Sequence, residues 1–415
     1  MTARGGATSG FVLAMVLSVA IAARTATGAG AARRADSAKT PAPNGLPKFY
    51  AVPGNLPDAP GEIIKSQKLE IKGLGGTMYR VMYTSTNLRD EVIPVTGLIV
   101  VPKGEAPSGG FPVLSIAHGT TGMADECAPS LTTESRPETN ALLDAGYLVV
   151  ATDYEGLGTP GLHPYIAGEN AARNTVDIVR AAVGFKPANA GSDYVVWGHS
   201  QGGHTAMHAL IEATGYAADV ELHGVVAGAP PSQFALLYNF LKTSDFRHYL
   251  LMAGGGLNAA YGDEAAPLDA VLTERGIELL AELENGCSGY LQKLAGDIPY
   301  EEVGDVDPYT VPEWRALLQA DDPQSFESPG DVPLLIIHGG NDEQIPVASS
   351  ALLTDHLCDI GQALERWVYP GNMHAEVIGP SFADMIGWID ARFAGESGPY
   401  EPTGQPDIEA RVCGV

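Results

Sequence analysis

Basic residues are scarce in this chain: 24 Lys and Arg stand against 50 Asp and Glu among 415 residues, for a formal net charge of -26. Binding to a phosphate backbone rests on clustered Lys and Arg, and no such run occurs, so nucleic acid is excluded as a partner. Charged residues of both signs make up only 18% of the chain and hydrophobic ones 45%, which excludes a disordered acidic tail and is enough for a large buried core. Cysteine is limited to Cys127, Cys287, Cys358 and Cys413. At 415 residues the chain is far too long for a small disulfide-stapled knot, and none of the four lies in a C-x2-C or C-x4-C pair, which excludes a thiolate zinc site. Long apolar runs are also missing. The sustained one, Phe11 to Ala23, is too short to cross a hydrocarbon core of ~30 Å, so the mature chain is expected to have no transmembrane span.

That short run has a different use. Arg4 precedes it and the small residues Ala26, Gly28 and Ala29 follow, so residues 1–29 read as a signal peptide and the protein as secreted. An even number of cysteines suits the oxidising compartment that export implies, although four cysteines allow three connectivities and spacing does not choose among them. Residues 30–60 form an extended lead-in, kept irregular by Pro41, Pro43, Pro47, Pro53, Pro57 and Pro60.

Strands are expected at Lys68 to Lys72, Met78 to Thr84, Val95 to Val101 and Val113 to Ala117. Helical patterns (Pro137 to Ala145, Ala171 to Val183, Gln201 to Ala213) then alternate with short apolar strands (Tyr147 to Thr152, Tyr194 to Trp197, Val225 to Ala227). This alternation implies a mostly parallel sheet flanked by helices, an α/β fold. The strands Leu334 to Ile337 and Arg366 to Tyr369 complete it. Between Ala227 and Leu334 lies a helical stretch (Gln233 to Leu241, Leu268 to Leu283, Val311 to Leu318) too long for an ordinary crossover. The expected organisation is a core of 61–229 and 332–394, an inserted helical cap of 230–331, and a Pro- and Gly-rich tail of 395–415.

Chemistry concentrates in Gly198-His199-Ser200-Gln201-Gly202, a G-x-S-x-G pattern between a strand and a helix, as a nucleophile elbow requires. A serine hydroxyl needs a histidine to take its proton, and the histidine needs a carboxylate to orient it. In α/β hydrolases these follow in the order Ser, acid, His, each in a loop after a strand. Asp342 fits the acid, with Glu343 and Asp153 as rivals, and His374 in Pro370-Gly371-Asn372-Met373-His374 fits the base. His204 and His208 share a helix face at i, i+4, but no acid of the H-E-x-x-H kind accompanies them, so no metal is expected. Oxyanion donors are expected from the backbone N–H of Gln201 and from His118-Gly119-Thr120-Thr121-Gly122, with Thr120 first and Thr121 second.

The segments His118-Gly119-Thr120-Thr121-Gly122, Cys127-Ala128-Pro129-Ser130, Asp153-Tyr154-Glu155-Gly156-Leu157-Gly158 and Gly198-His199-Ser200-Gln201-Gly202-Gly203, with the Asp342 and His374 loops, together resemble the secretory lipase family of α/β hydrolases, which includes many exported actinobacterial enzymes. The resemblance implies the α/β-hydrolase fold, a helical cap between the nucleophile and acid segments, and hydrolysis of carboxylic esters including triacylglycerols. It also implies Ser200, Asp342 and His374 as the triad, and pairing of Cys127 with Cys287 and of Cys358 with Cys413. The His-Gly-Thr-Thr-Gly loop differs from the acidic oxyanion loop of the yeast member, so that enzyme's acyl-length preference does not carry over.

The expected function is therefore secreted serine esterase or lipase: no cofactor, a small-molecule or lipid ester as substrate, and transient contact with a lipid interface. A serine peptidase of prolyl-oligopeptidase type is the alternative. It would need an acidic subsite, for which Asp263, Glu264, Glu282, Glu284, Glu301 and Glu302 are available. An inactive hydrolase fold used as a binding module is a remote third reading.

Overall fold

The computed structural model describes residues 33–34, 40–43, 45–131 and 137–414. The segment read as a signal peptide, 1–29, lies outside them. Among the described residues no helix is long and apolar enough to cross a membrane.

One sheet holds the strands β1 (Arg33–Arg34), β2 (Ile63–Leu69), β3 (Gly76–Thr86), β4 (Glu91–Pro102), β5 (Phe111–Ala117), β6 (Leu148–Thr152), β7 (Ala190–His199), β8 (Glu221–Gly228), β9 (Leu334–Gly339), β10 (Leu364–Tyr369) and β11 (Glu409–Cys413). Their order in space is β11-β10-β9-β8-β7-β5-β6-β4-β3-β2, with β1 beside β4. From β6 to β10 every neighbour is parallel. The flanks are antiparallel: β2, β3 and β4 form a meander joined to β6, and β11 closes on β10.

Helices α1 (Pro137–Asp144), α2 (Gly168–Gly184), α3 (Gln201–Tyr216), α9 (Val347–Asp359) and α10 (Ile378–Phe393) cover the sheet. The apolar strands serve both faces at once, because successive side chains point to opposite sides. Val196, Leu334 and Ile336 pack with Val176 and Ile178 of α2 and with Met207 and Leu210 of α3. Their chain neighbours Val195, Leu335 and Ile337 pack with Leu142 of α1 and with Met385 and Trp388 of α10. Two-sided burial is why β9 reads as an unbroken apolar run rather than an alternating one. It also keeps the loops at the carboxyl ends of β5, β7, β9 and β10 on a rigid base.

Between β8 and β9 the chain forms α4 (Phe234–Leu241), α5 (His248–Tyr261), α6 (Glu274–Leu280), α7 (Ser288–Gly296) and α8 (Pro312–Asp321). These helices have apolar clusters of their own, one around Met252, Leu279 and Leu291 and another around Leu257, Trp314 and Leu317. One local expectation needs correction. Leu268 to Leu283 is not one helix: a 3-10 turn at Leu268–Ala270 precedes α6, because the Thr273 hydroxyl accepts the N–H of Gly276 and caps a new helix start. Within the Pro- and Gly-rich tail, Glu409–Cys413 pairs with β10 over five residues. Disulfides join Cys127 to Cys287, between the loop after β5 and the start of α7, and Cys358 to Cys413, between α9 and β11.

Candidate active site

Ser200 occupies the turn between β7 and α3 with φ 61° and ψ -122°, a region costly for a residue with a side chain. Close packing enforces it. A Cβ on Gly198 would lie 2.0 Å from the Gly202 carbonyl oxygen, and one on Gly202 would lie 1.9 Å from that of Ala117. The glycines thus let β5, β7 and α3 meet. The Ser200 N–H donates to Gly228 O at 2.9 Å and its carbonyl accepts the N–H of His204 at 3.0 Å.

Asp342 and His374, from the loops after β9 and β10, come together: Nδ1 of His374 lies 2.7 Å from Oδ2 of Asp342. The other carboxylate oxygen accepts the N–H groups of Gln344 and Ile345 at 2.9 and 2.8 Å. A second histidine, His338, places Nε2 3.2 Å from Asp342 Oδ2. Burial alone would push the Asp342 carboxyl up, but hydrogen bonds from His338 and His374 outweigh it and hold the group well below the usual carboxylate range. Asp342 is therefore ionised, and His374 must carry its hydrogen on Nδ1 with Nε2 free to accept. Ser200 and His374 line the same cleft. Among the described residues no hydrogen bond joins them, and such contacts commonly tighten only when substrate is bound. The His199 ring packs 4.6 Å from that of His374, and burial, then the neighbouring His374, pushes its pKa down to about 3.

The two rival acids sit elsewhere. Glu343 Oε2 accepts the backbone N–H of His374 at 2.9 Å, so it holds the loop rather than the imidazole ring. Asp153 is fully buried, accepts from Thr96 and Ser130, and does not line the cleft. It fastens the turn at Ser130 to strand β4.

The loop after β5 lies against the cleft through Gly119, Thr120 and Thr121. The Thr120 hydroxyl is 2.8 Å from Tyr165 OH, and the Thr121 carbonyl accepts the N–H of Ser288 from α7. Gln201 opens α3, where N–H groups have no intrahelical acceptor. Its side-chain amide nitrogen Nε2 meets Nε2 of His163 at 2.8 Å. Since His163 Nδ1 faces the Glu155 carbonyl at 2.9 Å, Nδ1 carries the hydrogen and Nε2 accepts from Gln201.

His204 and His208 do acquire an acid, Asp321, from the far end of α8. Both Nε2 atoms point at its backbone carbonyl, at 2.9 and 3.0 Å. A carbonyl only accepts, so both nitrogens carry hydrogen, and the pair ties α8 to α3. Burial pushes the Asp321 carboxyl up to about 8.

Two cavities meet at Ser200. One is apolar, lined by Phe234, Leu237, Leu257 and Trp314 among others, with about 940 Å³ of space including its mouth. The other is the more open cleft that holds His374 and the Thr120 loop. Tyr249 of α5 borders both. The sequence reading missed His338, Tyr165, His163 and Tyr249. The signal for His338 was present, since it stands four residues before Asp342 at the end of its strand.

Comparison with known proteins agrees with this fold. The model of the family described as secretory lipase matches residues 136–399. A secreted triacylglycerol lipase of Malassezia globosa is 25% identical over 386 residues, covering 85% of this chain and 82% of its own. A probable inactive lipase of Mycobacterium tuberculosis is 24% identical, covering 84% and 82%. The crystal structure of Candida antarctica lipase A in its closed state superposes with a TM-score of 0.73 at 22% identity, covering 89% of this chain and 90% of that one. The family match spans most of the folded region, including the elbow and the last two loops, and the fold agrees: the chain belongs to the secretory lipase family and is a carboxylic ester hydrolase.

Proposed function

We propose that the protein is a secreted serine hydrolase that cleaves carboxylic esters through an acyl-enzyme. Ser200 Oγ attacks the ester carbonyl while Nε2 of His374 takes the hydroxyl proton, and Asp342 holds the imidazole in the required tautomer and stabilises the imidazolium. The N–H groups of Thr120 and Gln201 receive the oxyanion, each worth about 3 kcal/mol of barrier. His374 then returns its proton to the departing alkoxide. Water, deprotonated by the same imidazole, attacks the acyl-enzyme, releasing the acid and restoring Ser200.

The observation that carries this reading is the hydrogen bond between Asp342 and His374, whose ring lines a cleft that also includes a strained serine. The cavities support an assignment of the two halves of the substrate. An acyl chain suits the apolar pocket behind Ser200, and the alcohol portion suits the open cleft on the His374 side. Each methylene buried there is worth about 0.8 kcal/mol, so medium and long acyl chains should be preferred. Helices α4 to α8 would form the cap over this pocket, and residues 1–29 would direct export.

The peptidase reading is not supported by the acids named for it, although Glu126 and Glu138 do line the open cleft. None of Asp263, Glu264, Glu282, Glu284, Glu301 or Glu302 lines either cavity. A relative bears the name of a probable inactive lipase, yet competent residues fill all three positions here. The test is a p-nitrophenyl ester panel from C2 to C16, with emulsified triglyceride, on the wild type and on Ser200→Ala. Ester hydrolysis that disappears in the variant is expected. Unchanged hydrolysis by Ser200→Ala would overturn the proposal, and a sharp C2 optimum without attack on emulsion would restrict it to an esterase.

A further inference from the structure

The carboxylate of Asp342 serves two imidazoles, and only one of them is needed by the mechanism. His338 is fully buried on β9. Its Nε2 lies 3.0 Å from the Ile345 carbonyl oxygen and 3.2 Å from Asp342 Oδ2. A carbonyl oxygen only accepts, so Nε2 must carry the hydrogen, which is shared between that carbonyl and the carboxylate. Nδ1 is then the acceptor, and it lies 2.8 Å from Ser350 Oγ. The same hydroxyl oxygen accepts Nε–H of Arg366 at 3.0 Å, a group that can only donate. The serine hydrogen has two acceptors in reach, Nδ1 of His338 at 2.8 Å and the Val347 carbonyl at 3.1 Å, and the shorter contact is the one to His338. Donation thus runs one way, from Arg366 on β10 through Ser350 on α9 and His338 on β9 to Asp342, which meets His374 from the other side.

We infer that His338 is a positioning residue for the hydrolysis, acting through Asp342: it locks the carboxylate toward His374 and, by sharing it, moderates the basicity that Asp342 confers on the catalytic imidazole. This rests on the triad reading above. Charged and titratable groups face His338 from Asp342 in its own loop, Arg366 on β10, His374 after β10 and His199 at the end of β7. His338 and His374 meet the same carboxylate oxygen, Oδ2 of Asp342. Withdrawing the His338 donor leaves more negative charge for His374 and removes a positive dipole end near its ring. Both effects favour the imidazolium, so the acidic limb of the kcat/KM profile should move to higher pH.

The test uses the full-length enzyme and the variants His338→Leu, His338→Gln and Ser350→Ala, with Ser200→Ala and His374→Ala as controls. A lost hydrogen bond to an ionised group predicts a kcat for His338→Leu lowered roughly ten- to a hundredfold at little-changed KM. The acidic limb should shift upward by about half a unit or more. Gln can present an N–H where Nε2 stood, so His338→Gln should recover most of kcat and the original limb. Ser350→Ala should move the limb in the same direction by less, and it supplies the answer if His338→Leu fails to fold. A His338→Leu or Ser350→Ala enzyme with wild-type kcat and an unmoved limb would overturn the inference. So would a His338→Gln enzyme as impaired as His338→Leu, which would leave only a packing role. If Ser200→Ala and His374→Ala retain full activity, the triad reading itself fails; if they are dead while His338→Leu is unaffected, only the role of His338 falls.

Discussion

Replacing Asp342 with asparagine keeps the shape of the side chain and removes one acceptor, which isolates what the carboxylate does. The Asn carbonyl can still take the N–H groups of Gln344 and Ile345, now at 2.9 and 2.8 Å from Oδ1. Its amide nitrogen then falls where Oδ2 was, facing Nδ1 of His374 at 2.7 Å and Nε2 of His338 at 3.2 Å. Two N–H groups cannot share that line. The least costly escape is for His374 to move its hydrogen to Nε2 and accept from the amide through Nδ1. That tautomer presents a donor to Ser200 and cannot take its proton, so kcat should fall by about four orders of magnitude. The loss equals about 5 kcal/mol of barrier. Asp342 lines neither cavity, so KM should stay within about twofold. Glu343→Gln is the contrast: the amide oxygen still accepts the His374 N–H, and kcat should stay within about tenfold. Both are read from initial rates on a p-nitrophenyl ester. An Asp342→Asn enzyme keeping more than about a tenth of kcat, or a larger loss in Glu343→Gln, would refute this assignment of the acid.

Filling the apolar cavity with Leu237→Trp should spare p-nitrophenyl butyrate and penalise the palmitate. Excluding two methylenes at about 0.8 kcal/mol each predicts a roughly fifteenfold lower kcat/KM for the long ester, and equal effects on both esters would contradict the acyl assignment. The Cys127–Cys287 disulfide closes a sequence separation of 160 residues, so the double Ala variant should lose about 2–4 kcal/mol in urea unfolding; an unchanged midpoint and slope would count against it. His208 is buried and its pKa is held down to about 4, below the ~6.5 of the unfolded chain. It therefore contributes stability that is present above about pH 6.5 and lost as pH falls toward 4, worth ~3 kcal/mol in all. His208→Gln should flatten the decline of melting temperature over that interval relative to wild type, and parallel curves would show that His208 does not titrate with unfolding.

The parallel core was legible because its strands are short apolar runs buried on both faces, and β7 and β9 read that way without help. The elbow was legible because Gly198 and Gly202 have steric reasons to be there. Boundaries within 230–331 were harder. α5 carries Gly254, Gly255 and Gly256, poor helix formers that make sense only through tertiary packing: a Cβ on Gly256 would meet the Tyr165 N at 2.4 Å. β11 escaped because four of its five residues are exposed, so no apolar alternation marks it; β10 and the disulfide to Cys358 define it. Asp321 could not be matched to His204 and His208 because more than a hundred residues intervene. For His338 the residue was visible but its partners, Ser350 and Arg366, come from two other elements. Long-range hydrogen bonding is what the pattern of residues along the chain does not carry.

The central claim is that Ser200 is the nucleophile activated by His374. Its most direct measurement is mass spectrometry of the enzyme after reaction with an organophosphate ester such as paraoxon, which leaves a phosphoryl group on an activated serine. One adduct per chain on the peptide containing Ser200 is predicted, formed at least about a thousandfold more slowly in His374→Ala and absent in Ser200→Ala. An enzyme that hydrolyses esters yet carries its adduct elsewhere, or labels Ser200 equally fast without His374, would contradict the account.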